Sequence, residues 1–329
     1  MASNSLVYSN ARVKSLENGF LSQDKINRMV FAESLEGAVR VLLESGYGNG
    51  TIAEAYDFET ILQAEDKKVS EFMAESTVPK MGLETFLMKN DYHNAKAFMK
   101  AKYMHNEEDI SFMLAPKGLV DIDELKTFIF NDNYQSLSPI MAKALSDIDT
   151  KRVMGDKSPR TIDVTLDKAM YEDICKVLKS AKAPSMVKYH KANIDFSNIS
   201  NFIRYKNIGF NLKTYEQDFI EGGEISYDTF KALYDQSIET LLEKLKYTNY
   251  SQVVDSINPK DLVPFETAWD NYLIGIFKQD RNDVFSVAPL AGYYVAKKIE
   301  IKVVRMILIL IKNKIDVNII KGRLRDYYA

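Results

Sequence analysis

Apolar side chains recur along this chain at three- and four-residue steps, and one such pattern is written three times. The copies open on Asp91, Asp195 and Glu300, spaced 104 and 105 residues apart. Apolar or small residues follow each acid at +1, +4, +7 and +8: Tyr92, Ala95, Phe98 and Met99; Phe196, Ile199, Phe202 and Ile203; Ile301, Val304, Ile307 and Leu308. That spacing marks one face of an α-helix and predicts burial of Phe98, Phe202 and Ile307, which share the +7 position. Asn94 and Asn198 stand at +3, where the third copy has Val303. A second block repeats with the first. Gly19, Gly118 and Gly223 each precede a helical stretch with apolar residues at +7 and +10, namely Ile26 and Met29, Leu125 and Phe128, Phe230 and Leu233.

One unit written three times predicts an all-α architecture of three similar helical lobes with approximate threefold pseudo-symmetry, spanning residues 1–112, 113–216 and 217–329. The breaks fit. Pro79 and Gly82, Pro159 and Pro184, and Pro259 and Pro264 interrupt the helical pattern once or twice in each unit, as turns or first helical positions. From Asp228 to Tyr247, Phe230, Leu233, Tyr234, Ile238, Leu241, Leu242 and Leu245 read as one stripe of one helix. With 46% apolar residues, only 14 glycines and 8 prolines, and no sustained β-branched alternation, helices are favoured throughout.

Charge and cysteine content narrow the setting. The single cysteine, Cys175, excludes an internal disulfide framework and suits a reducing compartment. The opening Met-Ala-Ser-Asn-Ser has neither a basic flank nor an apolar core, so no signal peptide is expected. The longest apolar run, Val303 to Ile311, is interrupted by Arg305 and falls short of the roughly 20 residues that cross a bilayer. From Leu290 onward nine Lys or Arg face three acids, a local +6, so the remainder carries −9 of the total −3. A basic stretch of this kind either faces an acidic partner or is balanced by acids elsewhere in the chain. An acidic whole without interleaved aromatic and basic residues argues against nucleic acid.

Candidate chemistry is sparse. Gly48-Asn-Gly50-Thr-Ile-Ala53 fits a dinucleotide fingerprint literally, but the residues before it read better as a helix from about Ser34 to Glu44 closed by left-handed glycines. His93, His105 and His190 are too scattered for a metal site, and the difference between His93, Ser197 and Lys302 at one repeat position predicts a surface location. Cys175 sits on an apolar helical stretch and reads as a small core residue. No Asp-Asp-x-x-Asp pair is present for magnesium. No cofactor, metal or small-molecule substrate is expected. The repeated acids read as helix-opening residues that complement the macrodipole, with Lys100 and Lys102, and Arg204 and Lys206, towards the helix ends.

Four segments together resemble a known family: Tyr8-Ser-Asn10-Ala-Arg12-Val-Lys14-Ser-Leu16-Glu17, Asn198-Ile-Ser-Asn-Phe202-Ile-Arg204-Tyr-Lys206, Glu300-Ile-Lys-Val-Val-Arg305-Met-Ile, and Ile320-Lys-Gly-Arg323-Leu-Arg325-Asp-Tyr327. In order and spacing they look like the C subunit of V-type and A-type rotary ATPases, called the d subunit in eukaryotes, and the absence of extensions is closer to bacterial and archaeal members. The third copy departs from the family pattern at Val303. The resemblance implies a non-catalytic, all-helical funnel on the cytoplasmic side of a membrane. It would stand between the shaft subunits D and F and the proteolipid ring and pass torque between them. Lys100, Arg204, Arg305, Arg323 and Arg325 are the expected charged contacts to those partners. A helical-repeat adaptor unrelated to ATPases is the alternative reading of the repeat alone.

Overall fold

A computed structural model describes residues 6–51, 54–104 and 110–325. Ala53, His105 and Tyr327 lie outside the described residues. Among the described residues there are sixteen α-helices: α1 (Leu6–Leu16), α2 (Gln23–Val30), α3 (Leu35–Glu44), α4 (Phe58–Ser76), α5 (Glu84–Met104), α6 (Ile122–Phe130), α7 (Pro139–Val153), α8 (Pro159–Leu178), α9 (Pro184–Ile208), α10 (Leu212–Asp218), α11 (Tyr227–Leu233), α12 (Ile238–Leu245), α13 (Ser251–Val254), α14 (Val263–Lys278), α15 (Ala288–Lys312) and α16 (Val317–Lys321). Among the described residues there is no strand, only an isolated bridge between Asn258 and Asp261.

Helix boundaries follow local chemistry. Ser22, Ser34, Ser138 and Asn211 each accept a backbone N–H at the start of a helix, and Asp121 accepts those of Asp123 and Glu124. Pro139, Pro159 and Pro184 occupy first helical positions, where the missing N–H costs nothing. The single stripe from Asp228 to Tyr247 is instead two short helices, because the chain turns between Leu233 and Ile238. Phe230, Leu233, Tyr234, Leu241 and Leu245 are still buried, so both pieces present their apolar residues inward.

The chain forms two compact units, Met1–Val78 with Gln252–Ala329, and Pro79–Ser251. In the first, α15 packs against α14, α4, α1 and α3, and α2 lies on α3. Its core gathers Met29, Leu42, Ile61 and Leu62 around Val304, Ile307 and Leu308 of α15. In the second, α5 packs on α6 and α8, and α7 on α8. Phe202 of α9 lies among the rings of Tyr215, Phe230 and Tyr234. Phe98, Phe202 and Ile307 are all buried, as their shared repeat position predicted. In the glycine-led block the +7 residues Ile26, Leu125 and Phe230 are buried, whereas Phe128 at +10 is only half-buried and Ile129 takes its place in the core.

Candidate functional site

The repeated acids do not open helices. Asp91, Asp195 and Glu300 lie well inside α5, α9 and α15, so the macrodipole explains none of them. Each instead holds the loop that carries a repeat glycine. Asp91 accepts the N–H groups of Leu119 (3.0 Å) and Val120 (3.2 Å), 28 and 29 residues further on. Asp195 accepts those of Glu224 (2.8 Å) and Ile225 (3.1 Å). Glu300 accepts that of Leu21 at 2.7 Å, joining the end of the chain to its beginning. In the first two copies the glycine is dictated by this approach. A Cβ on Gly118 would lie 1.8 Å from an Asp91 oxygen, and one on Gly223 would lie 2.1 Å from an Asp195 oxygen.

The asparagines complete the grip. Asn94 donates to the Ala115 carbonyl (3.0 Å) and accepts the Ala115 N–H (2.7 Å); Asn198 does the same for Ile220 at 2.8 and 3.0 Å. The third copy needs no asparagine. The residue equivalent to Ala115 and Ile220, three before the glycine, is Leu16, and it already lies in α1. Val303 accordingly turns into the apolar core.

Electrostatics differ among the copies. Burial raises the Asp91 carboxyl to about 6, against the two backbone N–H bonds and Lys117, which lower it. Burial likewise raises Asp195, although Tyr250 donates to it at 2.5 Å. Glu300 is raised by burial too, but it has a cation: buried Lys297 reaches Glu300 (2.7 Å), Glu65 (3.1 Å) and the Gly19 carbonyl (2.9 Å). Glu65 then accepts the Gly48 N–H at 3.1 Å. The glycine loop is therefore held by a carboxylate of its own chain. α3 runs Leu35–Glu44 with left-handed Gly46 after it, and Gly48 (φ +74°) sits so close to Ile61 that a Cβ would come within 2.7 Å. Among the described residues there, the chain is helix rather than strand, and the Gly48 N–H is taken by Glu65 rather than left for a phosphate.

Acids of the same chain engage at least three of the five cations named above. Lys100 pairs with Asp163 (2.7 Å), Arg305 with both oxygens of Glu59 (3.0 Å each), and Arg325 with Asp270 (3.0 Å). Lys298 and Lys302 pair with Asp66 and Asp270, so much of the basic C-terminal stretch is balanced by acids of the same unit. Arg204 is exposed and Arg323 half-buried. His93 is exposed and bonds the Met113 carbonyl at 2.8 Å, as predicted for a surface position. Cys175 is half-buried against Gly222 rather than fully in the core. Among the described residues no cluster of His, Cys, Asp and Glu could hold a metal, and no helix is long and apolar enough to cross a membrane.

The sequence pattern missed an apolar surface in the second unit. At the C-terminal ends of α5, α7 and α9, Met104, Val153, Met154, Ile208 and Phe210 are exposed, Val153 at 90% and Met154 at 81%. Contacts tie them to one end. The Arg152 guanidinium lies 5.0 Å from the Tyr103 ring, Tyr103 bonds Asp149, Arg160 reaches the Tyr205 hydroxyl at 3.5 Å, and Tyr205 packs on Phe210. Large apolar side chains concentrated on one exposed end are characteristic of a protein contact. The signal was present in Val153-Met154-Gly155, two apolar residues directly before a turn glycine, beyond the buried stripe of Met141, Ala144, Leu145 and Ile148.

A helical body whose recurring devices are structural clamps, with an apolar end, has the character of a part in a larger assembly. Residues 9–323 match the family described as ATP synthase (C/AC39) subunit, and the chain belongs to that family. It is 21% identical to the C subunit of the V-type sodium ATPase of Enterococcus hirae over 328 residues, covering 97% of this chain and 98% of that one. It is 24% identical to the C subunit of the A-type ATP synthase of Thermococcus kodakarensis (95% and 88% covered) and 24% to that of Methanocaldococcus jannaschii (94% and 82%). Membership overturns the reading as an adaptor unrelated to ATPases.

Proposed function

We propose that the chain is the central-stalk component that couples shaft subunits D and F to the proteolipid ring, on the cytoplasmic side of the membrane, and passes torque without an active site of its own. The observation that carries this reading is the clamp found at three equivalent positions, Asp91, Asp195 and Glu300, with the third closed by the two ends of the chain. A unit repeated three times along the chain suits a body seated on a rotation axis, and buried clamps give it the stiffness that torque requires. The relatives are named as parts of a V-type sodium ATPase and of A-type ATP synthases, which supports the assignment to such a complex.

The apolar end formed by Met104, Val153, Met154, Ile208 and Phe210 is the proposed seat for the shaft, with Arg204 of the same unit as a rim charge that guides encounter. The paired Lys100, Arg305 and Arg325 serve the folded body first. Pull-down of the tagged chain from detergent-solubilised membranes should recover shaft and ring subunits together. Val153→Asp with Met154→Asp should keep the fold and the ring but lose the shaft. Recovery of neither assembly by the wild-type chain would overturn the stalk reading, and full recovery of both by the variant would remove the apolar end from it.

A further inference from the structure

The end of the second unit that holds the α8–α9 turn carries a concentration of one charge. Residues 79–83 and 176–191 contain Lys80, Lys176, Lys179, Lys182, Lys188 and Lys191, and no Asp or Glu, in a chain whose total is −3. The two segments are adjacent: the Lys182 N–H donates to the Lys80 carbonyl at 2.9 Å, and Gly82 packs on Leu178 and Ala181. Gly82 faces Met186 as well, so the start of α9 lies beside the end of α8. Among the described residues none of the six lysines forms an ion pair. Glu84 and Glu172 lie next to the two segments in sequence and pair with none of the six lysines. Lys176 and Lys179 alone would be ordinary companions of a helix C-terminus. Lys80 and Lys182 in turns, and Lys188 and Lys191 on the N-terminal part of α9, have no such explanation.

We infer that this lysine patch is an electrostatic docking surface for an anionic lipid bilayer. Its make-up favours lipid over a protein. All six cations are lysines, which act as point charges, and no arginine offers a bidentate fork to a particular carboxylate. Pro79, Ala181, Pro184 and Ser185 between them are small, and Met186 and Leu178 are buried, so no large apolar anchor of the kind that centres a protein interface is exposed. Clusters of four to eight basic residues without an anchor suit the diffuse negative potential of a bilayer surface, each lysine strengthening binding roughly fivefold. The surface is separate from the apolar end proposed for the shaft, so the two readings stand or fall independently.

The test is co-sedimentation of the full chain with phosphatidylcholine vesicles containing phosphatidylglycerol, against pure phosphatidylcholine, at low and physiological salt. Binding to the anionic vesicles alone, weakened by salt, is expected. Lys80→Gln, Lys179→Gln and Lys182→Gln together should reduce it about a hundredfold, the product of roughly fivefold per charge. The matching arginine variants should retain it. Lys126→Gln, Lys231→Gln and Lys244→Gln, an equal change of charge at exposed lysines elsewhere, should leave it within about twofold, and thermal unfolding followed by circular dichroism verifies that each variant is folded. No binding to anionic vesicles overturns the inference, as does equal loss in the two glutamine sets. If the patch variant binds vesicles normally but fails to join the ring in the membrane pull-down, the partner is an acidic protein surface and the lipid assignment is wrong.

Discussion

The clamps of the two units solve one problem in opposite ways. In the second unit, Asp91 and Asp195 meet the returning loop with a short side chain, two backbone N–H groups each, and no ion-pair partner, and an asparagine one turn later holds the loop again. In the first, Glu300 has a longer reach, takes a single N–H from Leu21, and shares Lys297 with Glu65. The difference follows from the connection. Within the second unit the loop is an excursion of one continuous chain and must be bound at several points, whereas in the first the segment before the loop is a helix whose backbone is already satisfied. Stability in the second unit therefore rests on close steric fit, and in the first on a buried charge network.

The largest expected effect tests the charge network. Lys297→Met should cost about 3–5 kcal/mol, because it leaves Glu300 buried without its cation and Glu65 with the more distant Lys68 at 3.7 Å. Adding Glu65→Gln and Glu300→Gln should restore much of that loss in urea unfolding. If the triple variant is no more stable than Lys297→Met, Lys297 matters for packing against Phe20 and Tyr47 rather than for charge.

Steric fit is tested by the glycines. Gly118→Ala and Gly223→Ala should each cost about 2–3 kcal/mol, since the new methyl would meet a carboxylate that is fixed by its hydrogen bonds. Gly19→Ala, with no neighbour within 4 Å, should change stability by less than about 0.5 kcal/mol. Equal losses at all three would mean that the glycines answer to the turn and not to the acid.

The helical repeat was legible because burial at +1, +4, +7 and +8 leaves a periodic mark, and all twelve of those positions are buried. The role of the acids was not. A buried carboxylate that binds a loop and an exposed one at a helix start are the same letter, and only the partner, 28 to 30 residues away or at the other end of the chain, separates them. The pairing of Gly118 and Gly223 with the acids before them left no mark either, because the spacing of a repeat does not say which of its blocks touch. The C-terminal cations looked available for the same reason, their acids Glu59 and Asp270 being distant in sequence. Val153 and Met154 escaped notice because two apolar residues off a helical stripe break no pattern.

Asparagine deletion is the next smaller effect. Asn94→Ala and Asn198→Ala each free one carbonyl and one N–H of the loop, and about 1–2 kcal/mol should be lost at each. Val303→Asn, the reverse change, should also destabilise, because no loop backbone waits for it in the apolar core. A stabilised Val303→Asn in thermal unfolding would show that the third clamp merely lacks its asparagine and is not built differently.

The smallest effect is the dependence on pH, and it tests how a clamp without an ion-pair partner holds its carboxylate. Asp91 has its carboxyl raised to about 6 from 3.8 by burial. An acid raised in the folded state is a cost at neutral pH. As pH falls through about 6 the folded chain takes up a proton that the unfolded chain accepts only near 3.8, so the folded state gains stability across that window. His190 acts in the opposite sense: burial lowers it well below 6.5, so the unfolded chain protonates first and stability is lost as pH falls below 6.5. Both effects are present in the wild type, and only the first is removed by Asp91→Asn. The stability difference between wild type and variant, measured by urea unfolding, should therefore move in favour of the wild type by about 1 kcal/mol from pH 7 to pH 5. Carboxyl-detected NMR should place the Asp91 midpoint near 6. A flat difference, with a midpoint near the ordinary carboxylate value, would mean that two backbone N–H groups and Lys117 fully offset the burial of Asp91, and its charge would then be no cost to the clamp.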